Sequence, residues 1–281
     1  MQKKILQKVN KIITKIEKNS QRKIENKELI KKYLVESFEI DKKITLYNWE
    51  CPPRSMGKDK DNKLFVNYDI DLKKIFEGKK MDEFTELPRV VEMKNQEIKI
   101  LNFLKDLDIN FRFVKLIADT NAYFLTPNSL DVLGSKKIEK KFQEFKNLII
   151  NQTKNYPTKV ETYLFSELIG KYSKFYKDSF NSIYKDSNKY INKKLLDEQI
   201  KRTKKHVGLK DSNLVKDFSI RTIASYGAEG IVFDILSKTK NFSNCVWSNI
   251  EEIDQRTIDI SNILRKKQKI SKLPMFFLDI S

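Results

Sequence analysis

The chain has 281 residues, of which 56 are Lys or Arg and 38 are Asp or Glu, so its formal net charge is +18. Its two cysteines, Cys51 and Cys245, lie far apart, which excludes a disulfide scaffold, and no run of about 18 apolar residues predicts a membrane span. The positive charge favours nucleic acid as a partner over an anionic membrane surface, although lysines can also be merely solvated. We therefore predict a cytoplasmic protein that does not enter a membrane.

Residues 1–40 are predicted to form a basic helical N-terminal arm in two pieces, with a break at Asn19 and Ser20. Apolar residues recur at helical spacing, and lysines cover the other faces. The apolar residues of the first piece are Ile5, Val9, Ile12, Ile13 and Ile16. Such an arm could lie on RNA phosphates, or its basic face could be only solvated. We expect residues 41–281 to form a single α/β catalytic domain.

Residues 44–55 are predicted to be a strand that ends abruptly in a turn. Strand-favouring residues run up to Trp49, and two prolines then prevent continuation because each lacks an N–H. The turn carries a thiol, a guanidinium and a hydroxyl, from Cys51, Arg54 and Ser55. Ligands of α/β proteins bind at the carboxyl ends of strands. Cys51 is therefore a candidate acyl acceptor activated by Arg54, the alternative being a small buried residue.

The middle of the chain alternates helices and strands, which is the order that a parallel sheet requires. Its predicted elements are a polar loop at 57–63, a strand at 64–70, a short helix capped by Asp71 and ending near Gly78, an ambiguous segment at 88–94, a helix at 95–107 and a buried strand at 111–118. The buried strand ends in a polar turn, Asp119-Thr120-Asn121. The predicted fold class is α/β, a Rossmann-like, mostly parallel sheet flanked by helices.

The second half of the chain is predicted to be largely helical and basic. Helices are expected at 135–150, over most of 158–206, at 212–236 apart from its two glycines, and at 250–266, with strands at 245–247 and 273–278. The densest basic cluster consists of Lys201, Arg202, Lys204 and Lys205, next to the single histidine, His206. Lys and Arg side chains of this kind neutralise phosphates, so we predict that the cluster contacts RNA.

Two tyrosine–glutamate pairs are candidates for binding an α-amino group and relaying a proton. Tyr226 and Glu229 lie three residues apart on the predicted helix, and Tyr163 and Glu167 lie four apart, so each pair can share a helix face. The alternative for either pair is an aromatic residue at the edge of the core beside a solvated acid.

A third interpretation is a metal-dependent nuclease. Asp69 and Asp71 followed by Glu92 and Lys94 match the pattern Asp, then Glu-x-Lys, in which carboxylates hold Mg²⁺ and the lysine stabilises charge at the phosphate. A non-catalytic RNA-binding protein is the remaining alternative, and it would depend on the basic cluster and the N-terminal arm.

The layout of the chain resembles that of the cyclodipeptide synthases. In that family a serine followed by Pro-x-Asn-Ser comes after the first core strand, and Cys51-Pro52-Pro53-Arg54-Ser55 would lie over it, with cysteine in place of serine. The late Tyr-x-x-x-Glu helix of the family would fall near Tyr226 and Glu229, one residue short. The stretch from Asp119 to Pro127, before a basic helix, is similar to the family's middle.

The resemblance implies a fold like the catalytic domain of class I aminoacyl-tRNA synthetases and aminoacyl-tRNA as the substrate. Because a charged tRNA is an activated ester, no ATP, cofactor or metal is implied. Cys51 or Ser55 would accept the first aminoacyl group, and Tyr226 with Glu229 would hold its amino group. Further substrate-binding residues would be Trp49, Arg54, Asp119, Asn121, Tyr163 and Glu167, and the basic cluster would bind the tRNA.

Overall fold

The computed structural model describes residues 2–20, 23–24, 26–53, 55–58, 64–68, 70–79, 87–120, 135–170, 173–207, 211–237, 245–249 and 275–278. For some of these, including Ser55, Lys205 and His206, only the backbone is described. The predicted functional residues Arg54, Asn121 and Asp69 lie outside the described residues, as does the predicted helix at 250–266.

The described elements are eleven helices and seven short strands. The helices are α1 (Gln2–Lys18), α2 (Lys27–Ile40), α3 (Leu72–Phe76), α4 (Arg89–Glu92), α5 (Lys94–Asp106), α6 (Ser135–Gln152), α7 (Phe165–Ile169), α8 (Ser173–Lys185), α9 (Ser187–Tyr190), α10 (Lys193–Val207) and α11 (Ser212–Ser237). The strands are β1 (Ile44–Glu50), β2 (Ser55–Lys58), β3 (Leu64–Asn67), β4 (Phe111–Ile117), β5 (Val160–Leu164), β6 (Cys245–Asn249) and β7 (Met275–Phe277).

Five of the described strands form one sheet in the order β5-β4-β1-β6-β7, and every neighbouring pair is parallel. The chain moves outward from β1 to β4 and β5, then crosses to the other side of β1 for β6 and β7. This is the order of a doubly wound Rossmann-like sheet, so the predicted fold class is confirmed. β2 and β3 form a separate antiparallel pair.

Helices cover both faces of this sheet because side chains alternate along each strand. On one face, Leu46 and Phe113 pack against α1, α2 and α5, and α1 contributes the predicted apolar stripe of Val9, Ile12, Ile13 and Ile16. On the other face, Tyr47, Val114 and Leu116 pack against α7 to α11. The two N-terminal helices therefore contribute to the core, while the domain boundary at residue 40 stays a prediction.

Three local predictions were wrong. Residues 160–164 form strand β5 rather than helix, residues 57 and 58 belong to strand β2 rather than a loop, and α11 continues through both of its glycines. The predicted cap is confirmed, since Asp71 accepts a hydrogen bond from the Lys74 amide at 3.2 Å. Among the described helices, none combines the length and the apolar character that crossing a membrane requires.

Candidate functional site

The carboxyl ends of β1, β4 and β5 lie side by side at one edge of the sheet. Glu50 is aligned with Ile117, and Ile117 with Leu164. The Ala118 amide donates to the Glu50 carbonyl at 2.9 Å, which holds the Cys51 turn beside the residues that follow β4. Cys51 is exposed, so the alternative of a small buried residue does not apply. The thiol therefore sits at the edge where parallel sheets bind ligands.

A cleft of about 950 Å³ opens at this edge, between the ends of β4 and β5 and helices α6, α7 and α8. Its size lies within the range of small-molecule sites, roughly 300–1,000 Å³. The polar and charged residues that line it are Asp119, Thr120, Lys136, Glu139, Lys140, Gln143, Ser166, Glu167, Lys174, Tyr176 and Lys177.

Asp119 forms the acidic floor of the cleft. Its side chain is almost fully buried, at 1% exposure, and it accepts hydrogen bonds from the Ser166 amide at 3.0 Å and from the Ser166 hydroxyl. Burial is the largest influence and raises the pKa of Asp119 to about 6, while the two bonds from Ser166 act in the opposite direction. A carboxylate of this kind is ionised at neutral pH and can take a positively charged group.

Helix α11 brings a second acid to the same region. Glu229, which is 7% exposed, accepts from the Thr120 hydroxyl at 3.4 Å. Tyr176 lies within hydrogen-bond distance of Ser225, at 2.7 Å between the two oxygens. Burial, together with the charge of Glu229, raises the pKa of Tyr176 well above its ordinary value, so its hydroxyl stays protonated.

The two predicted tyrosine–glutamate pairs have different surroundings. The Tyr163 hydroxyl donates to Glu161 at 2.8 Å, whereas Glu167 accepts from Lys146 at 2.7 Å and from Gln143 at 3.0 Å. Burial alone would raise the pKa of Glu167, but these donors hold it below its usual value. Tyr226 is half-buried on the helix that carries Glu229. The structure therefore places Glu167 in the lining of the cleft, connects Glu229 to it through Thr120, and gives Tyr163 a separate partner.

A rim of lysines surrounds the acidic floor. Lys136 and Lys140 project from α6, and Lys174 and Lys177 from α8; all of them are exposed and line the cleft. An acid at the bottom and cations at the mouth suit a ligand that has a positively charged end and a polyanionic end. The predicted basic cluster lies elsewhere, on α10, where Lys201 and Lys204 are exposed and Arg202 is half-buried.

The residues of the nuclease pattern have other roles in the described part of the chain. Asp71 caps α3, and Glu92 is an exposed residue at the end of α4. Within the described ranges, no three side chains of His, Cys, Asp and Glu come close enough to hold a metal ion. Trp49, a predicted substrate-binding residue, is half-buried and meets Phe165 edge to face, with ring centroids 5.0 Å apart.

A second acidic cluster is enclosed below the sheet edge. Lys115 of β4 donates to Glu50 and, at 2.5 Å, to Glu97 of α5, and all three side chains are 0% exposed. Tyr156 donates to Glu97 at 2.5 Å. Burial acts to lower the pKa of Lys115, but the charges of Glu50 and Glu97 outweigh it and raise that pKa, so the lysine stays charged. We call this group the buried ion network.

The sequence matches no protein-family model and no curated protein. Among solved structures, the chain is similar to Leishmania major tyrosyl-tRNA synthetase in complex with tyrosinol, with 14% identity and a TM-score of 0.47, over 96% of this chain and 30% of that one. It is also similar to tryptophanyl-tRNA synthetase from the hyperthermophilic archaeon Aeropyrum pernix K1, with 9% identity and a TM-score of 0.40, over 90% and 55% of the two chains. The chain thus spans less than a third of the length of the first of these proteins and slightly more than half of the second. At these scores, the interpretation of the site depends on its own geometry.

Several cleft residues were not predicted from the sequence, namely Thr120, Ser166, Tyr176 and the lysine rim. Ser166 and Glu167 reach the cleft because β5 lies next to β4, and β5 was predicted to be helix. The available signal was the segment Val160 to Leu164, in which β-branched and aromatic residues follow a proline.

Proposed function

We propose that this protein is an aminoacyltransferase that uses aminoacyl-tRNA as its activated substrate, with Cys51 as the acyl acceptor. The observation that supports the proposal is the cleft with an acidic floor and a lysine rim, beside an exposed thiol at the same sheet edge. The α-amino group of an aminoacyl ester is a cation, and the RNA that carries it is a polyanion. Asp119 and Glu229 are suited to bind the amino group, and the lysines of α6 and α8 are suited to bind the RNA.

The transfer is a substitution at the ester carbonyl. The Cys51 sulfur attacks the carbonyl carbon, a thioester C–S bond forms, and the ester C–O bond to the terminal ribose breaks. The proton of the thiol goes to the departing ribose oxygen, so the products are acyl-enzyme and uncharged tRNA. Splitting one transfer into two easier steps is the advantage of covalent catalysis.

The finer form of the proposal is a cyclodipeptide synthase. The amino group of a second aminoacyl-tRNA attacks the thioester and forms a peptide bond, which releases the cysteine. The free amino group of the resulting dipeptidyl ester then attacks its own ester carbonyl, so that a cyclic dipeptide and uncharged tRNA leave. Ser55 is the alternative acceptor, and Tyr226 is proposed to act with Glu229 and Asp119 in holding the amino group of the first aminoacyl residue.

Intact-protein mass spectrometry after mixing with a pool of freshly charged aminoacyl-tRNAs tests the proposal. We expect a mass increase of one aminoacyl residue in the wild type and in Cys245→Ala, and its loss in Cys51→Ala. Loss in Ser55→Ala alone would move the acceptor role to Ser55. An absence of adduct and of new dipeptide, in a sample shown to bind tRNA, would leave an RNA-binding protein and refute the transferase.

A further inference from the structure

The carboxylate of Asp119 is held at both of its oxygens by one residue. The Ser166 amide donates to Oδ1 at 3.0 Å, and the Ser166 hydroxyl donates to Oδ2. Both residues line the cleft, and Asp119 is 1% exposed. Two bonds from a single residue fix the plane of a carboxylate as well as its position, which one bond would not do.

Ser166 is itself held in place by its neighbours in the chain. Leu164 is the last residue of β5 and lies two positions before Ser166, and the Leu164 amide donates to Glu167 at 3.1 Å. Phe165 is fully buried and meets Trp49 and Tyr176 edge to face, at ring-centroid distances of 5.0 and 6.4 Å. The serine therefore belongs to a rigid strand-to-helix junction, which is the kind of support that a preorganised binding group needs.

We propose that Ser166 is a positioning residue, which holds the Asp119 carboxylate in the orientation that receives the α-amino group of the aminoacyl substrate. The inference rests on the proposed function for the identity of the ligand. The contact between Ser166 and Asp119 is independent of that function, because it is a property of the protein alone.

Other charged and titratable groups lie in or next to the same cleft. The lining groups are Glu167 of α7, Lys174, Tyr176 and Lys177 of α8, and Lys136, Glu139 and Lys140 of α6. Glu229 of α11 is connected to the cleft through Thr120. The charge of Glu167 raises the pKa of Asp119, and both bonds from Ser166 lower it. Removal of the serine hydroxyl therefore raises the pKa of Asp119, while the neighbouring groups stay in place.

The first experiment follows the Asp119 carboxyl carbon by NMR during a pH titration of the full chain, with the signal assigned through Asp119→Asn. We expect the pKa of Asp119 to be higher in Ser166→Ala than in the wild type and to return toward the wild-type value in Ser166→Thr. Ser219→Ala is the control, because its hydroxyl bonds Thr203 and the Val215 carbonyl instead. An unchanged pKa in Ser166→Ala would overturn the proposal.

The second experiment measures recognition of the amino group without any acyl transfer. The probes are 3′-amide-linked aminoacyl-adenosines and matched compounds in which hydrogen replaces the α-amino group. The wild type should prefer the amine-bearing probes, and Ser166→Ala should reduce that preference by about tenfold, the effect of a misplaced charged hydrogen bond. Ser166→Thr should restore it. A preference that is absent in the wild type, or unchanged in Ser166→Ala, would overturn the proposal.

The two proposals fail in different ways. An amine preference that depends on Ser166, with no acyl-enzyme in the mass spectrum, would support the positioning role and refute the transferase. An acyl-enzyme that forms equally fast in the wild type and Ser166→Ala, with equal probe preference, would support the transferase and refute the positioning role.

Discussion

The same sheet carries two groups of buried acids, and their partners differ. In the buried ion network, Glu50 and Glu97 bind Lys115, and all three side chains are enclosed. In the cleft, Asp119 is held by the neutral amide and hydroxyl of Ser166, and it is one of the lining residues. A buried carboxylate that binds a buried cation is already neutralised within the fold. One that is held by neutral donors in a cleft keeps its capacity to neutralise a ligand.

The largest expected effect comes from breaking the buried ion network. Lys115→Met leaves two enclosed carboxylates facing each other without their cation, and the removal of one partner of a buried pair costs about 3–5 kcal/mol. Urea denaturation at pH 7 measures the loss, and Lys99→Met, at an exposed position of α5, is the control. A loss as small as that of the control would mean that the network is not the stabilising contact we infer.

Replacing Asp119 in the cleft should stabilise the protein, in contrast to breaking the buried ion network. The folded-state pKa of Asp119 is about 6, against an ordinary value of 3.8, so the folded protein binds this proton more tightly than the unfolded chain does. The stability that this tighter proton binding contributes is therefore present below pH 4 and is lost as the pH rises from 4 to 6. At pH 7, the free energy of unfolding of Asp119→Asn should exceed that of the wild type by up to about 3 kcal/mol.

Urea denaturation at pH 4, 5, 6 and 7 measures this effect. The difference between Asp119→Asn and the wild type should grow across this range and then level off. The variant should also lose its preference for amine-bearing probes, because the neutral amide of asparagine cannot pair with the charged amino group. A constant difference at all four pH values would show that Asp119 has an ordinary pKa.

A smaller effect is expected from the tyrosine of the network. Tyr156→Phe removes the hydroxyl that donates to Glu97 at 2.5 Å, and hydrogen bonds to charged groups contribute roughly 1.5–3 kcal/mol. We expect a loss near the lower end of that range at pH 7, since Lys115 still neutralises Glu97. Combining Tyr156→Phe with Lys115→Met should give more than the sum of the single losses, because Glu97 depends more on the Tyr156 hydroxyl once its cation is gone.

The smallest effects concern the lysine rim. Lys136→Ala combined with Lys140→Ala should reduce the salt dependence of tRNA binding by a slope of about 1.4, from two lost contacts to a single-stranded RNA end. It should also slow acylation of Cys51. Lys201→Ala combined with Lys204→Ala should reduce the salt slope of tRNA binding without slowing acylation. Filter binding across a salt series measures the binding slopes of both double variants, and intact-protein mass spectrometry measures acylation of Cys51. Equal effects of the two double variants on acylation would remove the distinction between rim and cluster.

The sequence is most informative where one element can be recognised by itself. The apolar spacing of α1, the strands around Leu46 and Val114, and the Asp71 cap all follow local rules of periodicity and hydrogen bonding. The cleft depends on which strands are neighbours. Ser166 meets Asp119 across 47 positions of sequence because β5 pairs with β4, and no local pattern contains that pairing. The roles of Cys51, Tyr226 and the basic cluster stay predictions.

The strand order also determines when the sheet can assemble during synthesis. β1, β4 and β5 are neighbours in the sheet and the first of its described strands to be translated, whereas β6 and β7 are made last. A nascent chain can therefore complete three neighbouring strands while the other side of β1 is still an open edge. Open edges pair readily with other strands, so the interval before β6 emerges is the stage at which this chain is most exposed to misassembly on the ribosome.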